Sequence, residues 1–212
     1  MSKTENDLKE AFAGESQANR KYLAFAKKAD DEGYKQVAKL FRAAAEAETI
    51  HAHNHLRELK GIRSTKENLE EAISGESHEF QHMYPAMIED AKAEGNNGAL
   101  RSFHIANEVE KMHAALYKKA LDNIGKNKET DYYICKVCGA TIEHEAPDVC
   151  PVCGAKKMAF YKVEDRRRQA EGRRQKTEDR RQKTEDRRQK TEDRRQKTED
   201  RRQKTEGKKA EG

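Results

Sequence analysis

From residue 4 to residue 125, apolar side chains recur at three- and four-residue intervals among charged ones, the pattern of helices that bury one stripe. Leu8, Phe12, Tyr22 and Ala26, with Glu15 among them, share one face of a first helix that should end near Gly33. Val37, Leu40, Phe41, Ala44, Glu48, His51 and His55 line a second, stopped by Lys60-Gly61. Ser64, with Glu67 three residues later, reads as a capping box that opens a third. Its inward face carries Leu69, Ile73, Glu76, Glu79, Phe80 and Met83, and Pro85 should kink it or perturb its hydrogen bonding. Gly95-Asn96-Asn97-Gly98 then breaks the chain before a fourth helix with Phe103, Ala106, Glu110, His113, Tyr117 and Ile124. Four amphipathic helices of similar length predict a mainly α fold built on a four-helix bundle.

The second and third helices are joined by roughly residues 61 to 65. About five extended residues span at most ~18 Å, whereas a helix of about 25 residues is ~37 Å long. A crossover running the length of the bundle is therefore excluded within one chain. Either the bundle runs up-down-up-down, or helices pair between two subunits.

Composition changes the picture at the C-terminus. The chain is 39% charged and 34% hydrophobic, too polar for one large core. Residues 173 to 200 are four copies of Arg-Arg-Gln-Lys-Thr-Glu-Asp, a fifth lacks only its Asp, and no apolar residue follows until Ala210. From Asp165 onward there are 20 basic and 12 acidic residues, against 24 and 27 before it, so the basic pI belongs to this tract. Its seven-residue period has no apolar seam for a coiled coil. Asp179 to Lys183 pairs acid before base at four residues, while Arg174 to Glu178 runs in the poorer order. The expectation is a mostly disordered tract with little function. A basic arm for nucleic acid is opposed by its interleaved acids and missing aromatics. The N-terminus, MSKTENDLKE, lacks the apolar core of a signal peptide, and no apolar run approaches the ~20 residues of a membrane span. These features predict a soluble cytoplasmic protein.

The chemistry lies in acids on apolar stripes. Glu48-x-x-His51 and Glu110-x-x-His113 each set a carboxylate and an imidazole on one helix face, able to grip a cation from one side. Glu15 adds a carboxylate from the first helix, and Glu76 and Glu79 add two from the third. Unpaired buried carboxylates are costly, so five converging ones demand cations. One Glu from each of two helices and Glu-x-x-His from each of two others is the di-iron or di-manganese pattern of ferritin-like bundles. His53, His78, His82 and His104 read as solvent-facing, and His55 as partly exposed and structural.

Cys135-x-x-Cys138-Gly139 and Cys150-x-x-Cys153-Gly154 form two knuckles whose four thiolates can close a tetrahedron around one metal. With all four cysteines in this cluster, none is left for a disulfide framework, which fits a reducing compartment. The sulfur set alone suits iron or zinc. Tyr132, Tyr133, Phe160 and Tyr161 are expected to form the core of this small module.

The segments AFAGESQANRKYLAFA, AETIHAHNHL, GESHEFQHMYP and EVEKMHAALY closely resemble rubrerythrin, over residues 1 to about 164. The resemblance implies a ferritin-like di-iron bundle over residues 1–126, a rubredoxin-like domain over 130–164 and the charged tail over 165–212. It implies that Glu48 and Glu110 bridge two irons, that Glu15 is terminal on one, and that Glu76 with His113 completes the other. Glu79 and His51 match a carboxylate and a histidine that exchange as ligands with oxidation state. That exchange has its own logic, since oxidation raises the metal's charge and favours an anionic oxygen, whereas ferrous iron is well served by neutral imidazole. YYICKVCGATIEHEAPDVCPVCG looks like the rubredoxin module appended to rubrerythrins, which moves the four-cysteine metal to iron, with zinc the runner-up.

The activity implied is a peroxidase that reduces hydrogen peroxide to water in oxidative-stress protection, with Glu48, His51, Glu79 and Glu110 carrying the chemistry at an Fe-O-Fe centre. Electrons would come from an external donor such as a rubredoxin or an NAD(P)H-dependent reductase, through the cysteine iron. About eleven residues separate His113 from the helix end near Ile124, ~17 Å, so a head-to-tail homodimer would shorten the electron path. Exchange of helices between subunits would suit the short second connection. The rival readings are a ferroxidase and iron-storage protein, and a zinc-ribbon binding protein.

Overall fold

A computed structural model describes residues 2–164 and, in the repeat tract, Thr177, Arg181, Gln182, Thr184, Glu185 and Arg188. The expectations for the tract's order and pairing lie outside the described residues. Two compact units make up the chain: Met1–Glu129 with the short segment Cys138–Ala140, and the remainder from Thr130 onward.

The first unit is helical: α1 (Lys3–Asp31), α2 (Lys35–Glu58), α3 (Thr65–His78), a π-helical segment (Glu79–Met83), α4 (Tyr84–Ala93) and α5 (Asn97–Asp122). Helices α1, α3 and α5 start on side-chain caps. Ser2 accepts from the Glu5 amide, Asn96 accepts from Ala99, and Ser64 with Glu67 forms the expected capping box. They stop on one recurring device. Beyond α1, α2 and α4, the residues Gly33, Lys60 and Gly95 take positive φ of 84°, 54° and 67°. In each case the next amide reaches back five residues: Tyr34 to Ala29, Gly61 to Leu56 and Asn96 to Ala91, at 2.8–2.9 Å. The helix expected to run through Pro85 is interrupted instead. The backbone widens to a π turn over Glu79–Met83, and Pro85 falls in the first turn of α4, where its missing N–H costs nothing.

α1 packs along α2, and α3, the π segment and α4 pack on α5, but no helix of one hairpin packs along a helix of the other. The four helices of the expected bundle are therefore present as two antiparallel pairs. Within each pair alanine makes the close approach. Ala26, Ala29, Ala38, Ala45 and Ala52 are buried in the first pair, and Ala91, Ala114, Ile88 and Val109 in the second. No leucine or phenylalanine of these helices is buried. Val37 and Leu40, which the helical stripe places in line with Glu48 and His51, are 45% and 67% exposed.

The two pairs are copies of one unit. Gly14-Glu15-Ser16 recurs 61 positions later as Gly75-Glu76-Ser77. Beyond the π segment the offset is 62: buried Ala26 and Ala29 match buried Ile88 and Ala91, Gly33 matches Gly95, and Glu48-x-x-His51-Ala52 matches Glu110-x-x-His113-Ala114. The one-residue difference falls where the π turn adds a residue to the helix.

The second unit holds a three-stranded antiparallel sheet, β2-β1-β3, with β1 Tyr132–Cys135, β2 Thr141–Glu143 and β3 Phe160–Lys162. Phe160 pairs with Cys135 and both are buried. Tyr133 is half-buried, whereas Tyr132 and Tyr161 are exposed, so the expected aromatic core reduces to Phe160 and part of Tyr133. Strand alternation is the reason: Tyr132, Ile134 and Tyr161, Ile134's partner, stand on the face opposite Cys135.

Candidate metal centres

Each helix pair presents three ligand side chains at mid-length. In the first, Nδ1 of His51 lies 2.9 Å from Glu48 Oε2 and 3.7 Å from Glu15 Oε1. In the second, Nδ1 of His113 lies 2.7 Å from Glu110 Oε2 and 3.8 Å from Glu76 Oε1. These are two separate clusters, Glu15-Glu48-His51 and Glu76-Glu110-His113, with the donor atoms of each within 4.8 Å of one another. The i,i+3 spacing holds each histidine over its own glutamate, and the partner helix brings the third ligand.

Glu79 joins neither cluster, but its charge reaches Glu76 and Tyr84. As the first residue of the π segment it sits where the backbone departs from α geometry. The Glu76 carboxyl is pushed up to about 7, first by burial and then by the Glu110 charge and hydrogen bond. An acid held so close to another is a site that lacks positive charge, and a cation between them would relieve it. Burial, then the charges of Glu79, Glu110 and Glu76, raises the Tyr84 phenol; burial, then Glu76 and Glu110, raises Tyr117. Both phenols therefore flank the second cluster. Tyr117 was placed on this stripe but not in the site, although it follows His113 by one helical turn.

A third site residue not anticipated is Asn19, one turn beyond Glu15. It is 9% exposed, and its side-chain amide donates to Ala45 O at 2.7 Å and Thr49 Oγ1 at 2.8 Å. Those two acceptors bracket Glu48, so this bridge sets the height of Glu15 against Glu48. His53, His78, His82 and His104 are exposed and His55 half-buried, as expected.

Beyond the helices, Cys135, Cys138, Cys150 and Cys153 bring four thiols together, none in a disulfide. The Cys135 and Cys153 sulfurs are 3.7 Å apart. A tetrahedral metal with bonds of ~2.3 Å to sulfur requires edges of ~3.8 Å, so the spacing fits one such ion. Gly139 and Gly154, the residue after each knuckle, have φ of 84° and 73°, a left-handed turn that glycine adopts without strain. The second knuckle is closed by Cys150 N donating to Ala155 O at 2.7 Å and Gly154 N to Cys150 O at 3.0 Å.

This geometry can be set beside known proteins. The family model described as Rubrerythrin matches residues 6–121, and the rubredoxin-like domain of rubrerythrin matches residues 133–161. The chain belongs to the rubrerythrin family. Rubrerythrin-2 of Clostridium acetobutylicum is 38% identical over 174 residues, 74% of this chain and 95% of that one. Nigerythrin of Nitratidesulfovibrio vulgaris is 36% identical, covering 74% of this chain and 85% of its own length. Rubrerythrin of Porphyromonas gingivalis is also 36% identical, with 75% and 89% covered. A solved structure of fully reduced nigerythrin aligns over 77% of this chain and 88% of that one, with 34% identity and a TM-score of 0.48. In this rubrerythrin the cysteine knuckles suit a rubredoxin-like iron, and the two carboxylate–histidine clusters supply the donors of a di-iron centre. Among the described residues no helix is long and apolar enough to cross a membrane.

Proposed function

We propose that this rubrerythrin is a peroxidase: H2O2 + 2e− + 2H+ gives two water molecules, with electrons delivered through the four-cysteine site. The observation that carries this reading is that one chain holds a one-electron sulfur site together with a paired carboxylate–histidine donor set. When bound, a ferrous pair supplies two electrons to the O–O bond, and cysteine-held iron relays their replacements singly from an external donor such as a rubredoxin or an NAD(P)H-dependent reductase.

The chain's own residues position and protonate. Glu48 and Glu110, each held by its own helix's histidine, would be shared carboxylate ligands, Glu15, Glu76 and His113 would hold the ions from their own clusters, and His51 and Glu79 would be the exchangeable pair, imidazole suiting the lower metal charge and carboxylate the higher. Glu79 is suited to this role because it opens the π segment and belongs to neither cluster. Tyr84 and Tyr117, whose phenols are raised first by burial and then by the charges of the second cluster's acids, would be the candidate proton donors on this face.

The test is stopped-flow spectroscopy on anaerobically reduced protein. Peroxide is expected to restore the visible absorption of the oxidised cysteine iron faster than dissolved oxygen does. Rapid consumption of oxygen with no response to peroxide would replace this reading with a ferroxidase. Zinc at the cysteines and no turnover after iron reconstitution would remove both.

A further inference from the structure

We infer that His78 and His82 form a further metal site, on an exposed face of the helical unit, which takes one divalent late first-row ion such as zinc. The site uses neither carboxylate–histidine cluster, and it stands whatever reaction those clusters carry out.

Three observations carry it. The first is in the sequence. His78-Glu79-Phe80-Gln81-His82 is a His-Glu-x-x-His run, with two imidazoles at i,i+4 on one helical face, the spacing with which a helix grips zinc. The second is geometric. The helix passes without a break from α3 into the π segment, and the two rings stand side by side with centroids 5.7 Å apart and planes inclined at 45°. A tetrahedral ion with Zn–N bonds of ~2.1 Å needs its two nitrogens ~3.4 Å apart. Nitrogens on the facing edges of these rings meet that spacing by side-chain rotation, with no movement of the backbone. The third is what the rings lack. Both residues are exposed, and among the described residues neither ring has a hydrogen-bond or ion-pair partner. His51 and His55 repeat the i,i+4 spacing on α2, but there the first ring is committed to Glu48 and Glu15.

The glutamate of the run does not serve this ion. Glu79 acts on the other side of the helix, where its charge reaches Glu76 and Tyr84. Among the described residues no third histidine, cysteine or acid closes on the pair either. Without a general base and a third protein ligand, the arrangement is not that of a zinc hydrolase; it binds. Two imidazoles select zinc, copper or nickel over magnesium and calcium, which prefer oxygen, and water fills the ion's remaining positions. Joining His78 to His82 spans Glu79, Phe80 and Gln81, so the ion also braces the π segment. An ion bound only by the folded chain stabilises it.

The experiment titrates zinc into the full-length, iron-loaded protein and follows bound zinc and thermal unfolding. His78→Ala and His82→Ala should each bind one zinc fewer per chain than wild type, and each should lose most of the zinc-dependent rise in unfolding temperature. His53→Ala and His104→Ala, exposed on other helices, should match wild type, and magnesium in place of zinc should give no rise. Equal zinc uptake by wild type and both single variants would overturn the proposal, as would an equal rise in unfolding temperature. The cysteine-iron absorption confirms that each variant is folded. Zinc that enters the bundle or the cysteine site adds equally to every sample, so the difference between variants still reads the pair. The readout involves no turnover, and a failure of the peroxidase reading leaves it unaffected.

Discussion

The side-chain amide of Asn19 on α1 donates to the carbonyl of Ala45 on α2 at 2.7 Å, and the same amide donates to Thr49 Oγ1. Thr49 Oγ1 itself donates to Ala45 O at 3.0 Å, so one buried carbonyl receives two bonds. Replacing Asn19 with Ala strands that carbonyl's second lone pair and opens a gap between the helices. The expected cost is about 1–3 kcal/mol in denaturant unfolding. Asn19→Ala should also weaken metal retention at Glu15 and Glu48, read as faster iron loss to a chelator. Unchanged stability and retention would show that the bridge does not set the ligand height.

Glu76 gives the metal-free protein a pH dependence of known sign. Its carboxyl is raised from the ordinary 4.5 to about 7, chiefly by burial and then by Glu110. Between those values the folded state binds more protons than the unfolded one. The stabilisation is therefore complete below the unfolded value and lost as pH rises through the folded one. Metal-free protein should melt lower at about pH 8 than at about pH 5.5, and Glu76→Gln should flatten that slope. A slope of the opposite sign would show that another group governs the range.

Gly154 separates backbone strain from ligation. A Cβ there meets nothing within 4 Å, yet φ is +73°. Gly154→Ala should keep the four thiolates in place and cost on the order of 1 kcal/mol from the left-handed backbone. The expected result is an unchanged cysteine-iron spectrum with faster metal loss to a chelator. A lost spectrum would mean that the turn tolerates no adjustment.

Lys60 occupies the position that glycine fills after α1 and α4, at φ 54°. Lys60→Gly should raise the unfolding free energy by about 0.5–1 kcal/mol, because the side chain no longer opposes the left-handed turn. A loss of stability would indicate that the lysine stem contributes packing that outweighs the strain.

Much of this was legible in the sequence because it depended on local spacing. The glutamate–histidine pairs sit at i,i+3, the knuckle cysteines at i,i+3 with a glycine after them, and the Ser64–Glu67 box is a four-residue signal; each is resolved within one helical turn. What was not legible depended on neighbours distant in the chain. Pro85 announced a disturbance, but its i−4 clash and missing N–H are relieved equally by a kink or by an added residue, and the local sequence does not choose between them. Leu40 looked inward because periodicity gives a stripe and not the identity of what covers it. Tyr132 and Tyr161 looked like core because aromatic residues favour strands, and only the register of β1 against β3 shows that they stand on the other face.

The π turn has a meaning as a historical mark. Apart from that one extra residue, the second helix pair repeats the first in its Gly-Glu-Ser, its glycine turn and its Glu-x-x-His. The inserted residue lies beside Glu79, whose counterpart in the first pair is Ala18. The fifth carboxylate and the disturbed helix thus occur together in one copy only, so a cation held by the second cluster would sit in a more negative field than one held by the first.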